Sequence, residues 1–230
     1  MAGIGDLYRE GRLRISGMVG DLGPVEAGRP VDACPGWTVH DIVAHLAGAC
    51  GDALAGRLDG VTTAAWADAQ VAARRDRTLP ELLEEWSTVA PPLEAEPDLF
   101  PERLQTIWVL DITVHEQDVR GALGRPGARE SEAMAIALEF LVREGLDRRL
   151  AGAGLGPLEV RTGAKTWVVG EPDGGPAEAV DLSQFELFRA LTGRRSTAQI
   201  ARYEWTCDPG PFLAAFEFGT FTTRTTDLVE

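Results

Sequence analysis

Cysteine and histidine are what this chain nearly goes without: three of each in 230 residues. Cys34, Cys50 and Cys207 are odd in number, far apart and free of any C-x-x-C pair. That excludes a disulfide scaffold and a cysteine-built structural zinc site. His40, His45 and His115 are then the only imidazoles on which histidine chemistry can rest. Lysine occurs once, at Lys165, against 21 arginines, which together with the abundant Ala and Gly fits the coding bias of a GC-rich genome. No run of about 18 apolar residues occurs, and the N-terminal MAGIGDLYREGRLRISGMVGDL has no apolar stretch of signal-peptide length. A soluble, cytoplasmic protein is therefore expected. Positive charge is also short: 22 basic residues face 36 acidic ones, a net charge of −14. Phosphate backbones and anionic lipid repel such a chain, so neither nucleic acid nor a membrane is an expected partner.

What is present is an ordinary globular composition, 44% hydrophobic and 25% charged. Apolar spacing predicts an amphipathic helix over 4–22, broken midway by Gly11. A Gly/Pro-rich loop follows over 23–35. Thr38 and Asp41 match a capping box, opening a helix over 39–58. Further helical patterns cover 63–77 and 79–89, with Pro80 in a favoured first turn. The proline-rich PPLEAEPDLFPE reads as a loop. A long helix over 102–123 is then stopped by Gly124-Arg125-Pro126-Gly127. Four major helical segments before residue 128 suffice for an up-down bundle. Beyond it the pattern changes: a helix over 130–150, alternating runs over 157–169 that read as a hairpin, the turn or loop GEPDGGPAEA, a short helix from the N-cap Ser183 to Thr192, and an aromatic tail that must pack on something. The fold class expected is α+β, with a helical domain over 1–127 and a smaller α/β domain over 128–230.

One constellation could carry chemistry. Asp111 and His115 stand four residues apart, so both project from one helix face with β-carbons about 5–6 Å apart. His45 lies on the apolar stripe of another helix, between Ile42 and Leu46. Two bundle helices can thus gather two imidazoles and a carboxylate, a donor set that suits Zn, Fe or Ni and leaves a coordination position open. The plain alternative is a surface Asp/His pair and an unrelated core histidine, and spacing alone leaves both readings open. His40 falls on a different face, in the first turn. Glu116 points toward solvent or a neighbour. Asp118, three residues after His115, can accept from its imidazole or pair with Arg120 or Arg125. Cys50 reads as a small buried residue rather than a ligand.

CPGWTVHDIVAHLAG, then WVLDITVHEQDVRGALG, then FELFRALTGRRSTAQI, in that order and spacing, resemble the mycothiol-dependent maleylpyruvate isomerase family of actinobacteria, within the DinB-like metal-binding four-helix bundles. The resemblance runs from Val31 to about Trp205. It implies a divalent metal, usually zinc, held by the His of W-T-V-x-D-x-x-x-H and by an acidic residue four before a second His. Here those are His45, Asp111 and His115. The isomerase itself carries Glu at the acidic position, and Asp111 is one methylene shorter, so the backbone must come closer or a water must bridge. It further implies a low-molecular-weight thiol, mycothiol, as co-substrate, and S-transfer to an electrophile or maleylpyruvate-type isomerisation. A carboxylated substrate calls for arginine forks, for which Arg194 and Arg195 are the catalytic candidates; their other reading is a basic cap on the preceding helix. A non-catalytic metal or ligand-binding module and a metal-water hydrolase share the same ligands. A monomer or homodimer is expected.

Overall fold

Helices account for the N-terminal 127 residues in the computed structural model, which describes residues 2–173 and 175–230. Met1 and Gly174, the latter inside the expected loop GEPDGGPAEA, lie outside the described residues. The chain divides into two compact units, 1–127 together with Glu230, and 128–229.

In the first unit, α1 (Ile4–Val19), α3 (Val39–Leu54), α5 (Leu79–Ala95) and α6 (Glu102–Leu123) are the long helices, with short α2 (Pro24–Ala27) and the eleven-residue α4 (Ala64–Arg74) between them. α1 packs against both α5 and α6, and so does α3, which closes a four-helix ring; α4 lies outside it on α3. The apolar stripes read from the sequence meet inside: Leu7, Ile15, Ile42, Leu46, Leu82, Trp86, Leu93 and Ile112 are fully buried. The capping box at α3 forms as its residues dictate. Thr38 Oγ1 accepts from the Asp41 amide at 3.3 Å, and Asp41 Oδ2 accepts from the Thr38 amide at 2.9 Å. α6 ends on Gly124 in the left-handed conformation, φ 64°.

Three expectations in this half are corrected. Gly11 does not break α1. A β-carbon there would sit 2.8 Å from Ile112 Cγ1, so its smallness lets α1 approach α6. The segment PPLEAEPDLFPE is not all loop: α5 runs through Pro91 and Pro92 to Ala95. An interior proline costs about 3 kcal/mol, and here tertiary anchors overrule it. Leu93 is buried, and Glu94 accepts two hydrogen bonds from Arg12, from Nε at 2.6 Å and from Nη2 at 2.9 Å. Finally, α3 stops at Leu54, four residues short of the expected end.

The second unit is a small mixed sheet with helices. α7 (Glu132–Phe140) passes through a π-helical stretch, Leu141–Asp147, into α8 (Arg148–Gly152), where one uninterrupted helix was expected. β1 (Leu158–Arg161) and β2 (Thr166–Val169) form the expected hairpin, with Leu158 opposite Val169. β3 (Glu178–Asp181) pairs parallel to β1 and antiparallel to β4 (Glu204–Trp205), giving the order β2-β1-β3-β4. Glu178 and Ala179 were expected in a loop; β3 forms because Ala179 and Val180 are buried against the unit's core. α9 (Gln184–Leu191) starts on Ser183, whose Oγ accepts from the Glu186 amide at 3.1 Å, and Gly193 follows its end at φ 73°. α10 (Thr197–Ala201) is capped by Ser196 and Gln199. The tail packs as its aromatics require: Trp205 stacks on Phe212 at 5.8 Å, and Phe216 is fully buried. The fold is α+β. No helix among the described residues is long and apolar enough to cross a membrane.

Two glycines of α1 separate close packing from helix propensity. A β-carbon at Gly5 would lie 1.8 Å from the backbone oxygen of Glu94, whereas nothing stands within 4 Å at the exposed Gly17. Gly5→Ala is expected to lower unfolding stability in denaturant by about 1–3 kcal/mol, and Gly17→Ala to raise it by about 0.5–1 kcal/mol. Equal effects at the two positions would contradict the packing assigned to α1.

Candidate metal centre

His45 comes from the middle of α3, and Asp111 and His115 from one face of α6, so two packed helices of the first unit bring the three together. Their donor atoms lie within 4.8 Å of one another. His45 Nε2 stands 3.4 Å from Asp111 Oδ2, and His115 Nε2 stands 3.5 Å from Asp111 Oδ1. Each carboxylate oxygen thus faces one ring, and the shorter acid reaches both imidazoles. The rings are 5.1 Å apart at 73°. Both histidines are buried, and the Asp111 carboxylate remains 31% exposed, which leaves an open side.

The outer nitrogens decide what the inner ones can do. His45 Nδ1 lies 2.7 Å from Gln70 Oε1, and the amide nitrogen of Gln70 donates to Asp52 Oδ2 at 3.1 Å. Because the carboxylate of Asp52 only accepts, the Gln70 amide has one orientation, with its oxygen toward His45. His45 therefore carries its proton on Nδ1. His115 Nδ1 faces Asp118 Oδ2 at 3.1 Å, and an ionised carboxylate likewise requires a donor there. Both Nε2 atoms then present lone pairs to a carboxylate that has only lone pairs. Acceptors facing acceptors at 3.4–3.5 Å repel unless a cation lies between them. Charge-assisted N–H···O bonds are shorter, about 2.7–2.9 Å. Two ligands at roughly 2.0–2.1 Å from a tetrahedral zinc ion are about 3.3–3.4 Å apart, which matches the observed edges. The residues present fit a metal ion.

Aromatic rings and a thiol complete the surroundings. Trp37 stacks on His115 with centroids 6.0 Å apart and tilts against His45 at 5.3 Å; Trp66 meets the His45 ring edge-on at 6.2 Å. Cys34 Sγ donates to Asp118 Oδ2 at 3.1 Å, and Cys34, His115 and Asp118 form a second group with metal-ligand proximity. Sequence reasoning anticipated Asp118 as an acceptor for His115. It missed Cys34, Trp37, Trp66 and above all Gln70. Trp37 is legible in retrospect inside GWTVH, but nothing local marks Gln70.

The remaining residues sort plainly. Glu116 does not serve solvent: it is buried and accepts from Arg14 twice at 2.8 Å and from Arg120 at 2.8 and 3.0 Å. His40 Nε2 lies 2.7 Å from the Arg77 carbonyl, away from the cluster. Cys50 is buried, its Sγ 3.1 Å from the Tyr8 hydroxyl, and desolvation pushes its thiol up to about 12. Arg194 and Arg195 belong to the second unit and are both buried. Arg195 closes its fork on Glu186, Nε to Oε2 and Nη2 to Oε1 at 2.7 Å each, and Arg194 Nη1 donates to the Thr192 carbonyl at 2.6 Å.

The family model for the mycothiol maleylpyruvate isomerase N-terminal domain matches residues 8–130, which takes in α2 to α6 and all but the first four residues of α1. The chain belongs to this family. Two solved structures share its fold. A mycothiol-dependent maleylpyruvate isomerase aligns with a TM-score of 0.57 at 15% identity, covering 83% of this chain and 88% of its own. A histidine-to-alanine mutant of a mycothiol-dependent maleylpyruvate isomerase aligns with a TM-score of 0.58 at 14% identity over the same shares. No curated protein sequence matches the chain significantly. The part of the chain that the family model covers therefore contains the entire cluster His45, Asp111 and His115.

Two outcomes follow. Protein prepared without chelator is expected to hold about one divalent ion per chain by elemental analysis, and His45→Ala or His115→Ala to lose it; full occupancy in both variants would remove the ligand assignment. In the second unit, burial opposes the charge on Glu186, but the ion pair with Arg195 prevails and holds its carboxyl below the usual carboxylate range. That contribution is present above the unfolded value, roughly pH 4.3, and is lost as pH falls through the lower folded one. The stability gap between wild type and Glu186→Gln in denaturant titrations should be constant above about pH 5 and close on acidification; a gap that widens in acid would contradict the pairing.

Proposed function

We propose that this chain is a metal-dependent enzyme that uses a small thiol of the mycothiol type, as an S-transferase or a maleylpyruvate-type isomerase. The observation that carries the reading is the convergence of two imidazoles, with their Nδ1 atoms on Gln70 Oε1 and Asp118 Oδ2, on one partly exposed carboxylate, in a chain of the mycothiol maleylpyruvate isomerase family.

His45, Asp111 and His115 would hold the ion, and zinc suits the donor set of two imidazoles and one carboxylate. Such an ion supplies Lewis acidity that favours the thiolate form of a thiol beside it. The chain's own residues do the rest. Gln70 and Asp118 fix the imidazole tautomers. Trp37 covers both rings with apolar surface, which keeps water from competing for their nitrogens. The half-exposed Asp111 marks the side from which thiol and substrate enter.

In the isomerase variant the thiolate sulfur forms a bond to one carbon of an electron-poor double bond, the former double bond rotates as a single bond, and the carbon–sulfur bond breaks to restore thiolate and alkene. In the transferase variant the thiolate sulfur either adds to the double bond, with the resulting carbanion taking a proton from solvent, or displaces a leaving group such as the halide of a halobimane, which departs as the anion; the product in both cases is a thioether. Arg194 and Arg195, the candidates for a carboxylated substrate, are held within the C-terminal unit: Arg195 forks onto Glu186, and Arg194 Nη1 donates to the Thr192 carbonyl.

The test is turnover of an electrophilic bimane, and separately of a cis-dienoate, with and without mycothiol. Activity that requires both metal and thiol supports the reading, and His115→Ala should lower it by at least about 100-fold, the scale of a lost transition-state contact of ~2.7 kcal/mol. Turnover without any thiol would instead identify a hydrolase using metal-bound water. Binding of metal and thiol with no turnover of either substrate class would identify a binding module.

A further inference from the structure

α4 is held to the bundle in an unusual way. Ten of its eleven residues retain solvent exposure, and its one buried side chain is polar: Gln70, 2% exposed. That amide is the group that accepts from His45 Nδ1 and donates to Asp52. Asp52 in turn accepts from Arg57, through Nε at 3.0 Å and Nη2 at 2.7 Å. The other anchors of α4 are also polar or partial. Arg74 pairs with Glu85 of α5 at 2.6 Å, and Trp66 touches the His45 ring edge-on. On α3, one turn beyond His45, Gly48 provides the space: a β-carbon there would lie 2.7 Å from Gln70 Cβ and 2.8 Å from Arg74 Nη1. A segment with so little buried apolar surface belongs to the low-stability end of a structure.

We propose that Gln70 is the positioning residue for the ligand His45 and that, through it, α4 is the element whose order is coupled to occupation of the metal centre. The inference rests on the metal reading given above. The Gln70 carbonyl keeps the proton of His45 on Nδ1 and its ring turned so that Nε2 faces Asp111. Orientation of this kind is worth roughly 10–100-fold in metal affinity. Linkage is reciprocal: what α4 does for the ion, the ion does for α4. An ion on Nε2 makes Nδ1–H a stronger donor to Gln70, and α4 docks more firmly. His115 differs, because its partner Asp118 lies on the same helix, α6, and accepts in turn from Cys34 in the loop before α3.

The experiment uses the full chain, stripped of metal and then titrated with Zn²⁺ against a competing chelator, with amide hydrogen exchange read by segment. Zinc is expected to slow exchange over residues 64–74 in the wild type, with little change in α5 away from Glu85. Gln70→Leu is expected to bind zinc about 10–100-fold more weakly and to lose the α4 response while α1, α5 and α6 remain protected. A rescue variant guards against simple misfolding: Gln70→Glu combined with Asp52→Asn keeps an acceptor on His45 and a donor behind it, and should restore affinity and the α4 response. Wild type that takes up zinc with no change in α4, or Gln70→Leu with unchanged affinity, overturns the coupling and leaves the metal reading intact. Wild type that takes up no zinc overturns the metal reading and the coupling with it.

Discussion

Two lone pairs that face a carboxylate are the constraint on which the first unit turns. Gln70 and Asp118 hold the protons of His45 and His115 on their outer nitrogens, so the inner nitrogens converge on Asp111 as acceptors. Left alone, that arrangement is repulsive; with a cation it becomes a ligand set. The bundle around it is built to sustain the arrangement. Rigid apolar packing of α3 against α5 and α6 fixes where the side chains start. Buried ion pairs such as Arg12–Glu94 and Arg14–Glu116–Arg120 hold the helices in register. A buried charge without its partner is far costlier than the pair is helpful, so these pairs specify the packing more than they strengthen it.

The chemistry expected of the chain follows from this scarcity-driven economy of ligands. With three histidines, the protein commits two to one site and ties the third, His40, to a backbone carbonyl. Its buried thiol, Cys50, is pushed up to about 12 and stays protonated. In the function proposed above, the nucleophilic sulfur comes from a co-substrate thiol. Cys34 sits near the centre and donates to Asp118, the partner of His115.

Much of this is legible in the sequence. Local signals were faithful: the Thr38–Asp41 box opened α3, Gly124 ended α6, the alternation in 157–169 made a hairpin, and Asp111 and His115 shared a face because helical geometry leaves no choice. The misreadings share one cause. Intrinsic propensity makes Gly11, Pro91 and Pro92 helix breakers, whereas partners far along the chain decide the outcome: Ile112 for Gly11, and Arg12 holding Glu94 for the proline segment. β3 escaped notice because Glu178 and Ala179 look like loop until β1 and β4 flank them. Gln70 was invisible for the same reason. A glutamine on an Ala-rich helix carries no local mark, and only the fold reveals that it points at a histidine 25 positions away.

The central claim is that His45, Asp111 and His115 bind a metal ion with a position left for a thiol. X-ray absorption at the zinc edge on the zinc-loaded full chain tests it most directly. Zinc held by these residues gives a first shell of nitrogen and oxygen at about 2.0–2.1 Å with outer scattering from two imidazoles, and a new sulfur shell at ~2.3 Å when mycothiol is added. A zinc ion with no imidazole scattering, or a first shell that mycothiol leaves unchanged, would contradict it.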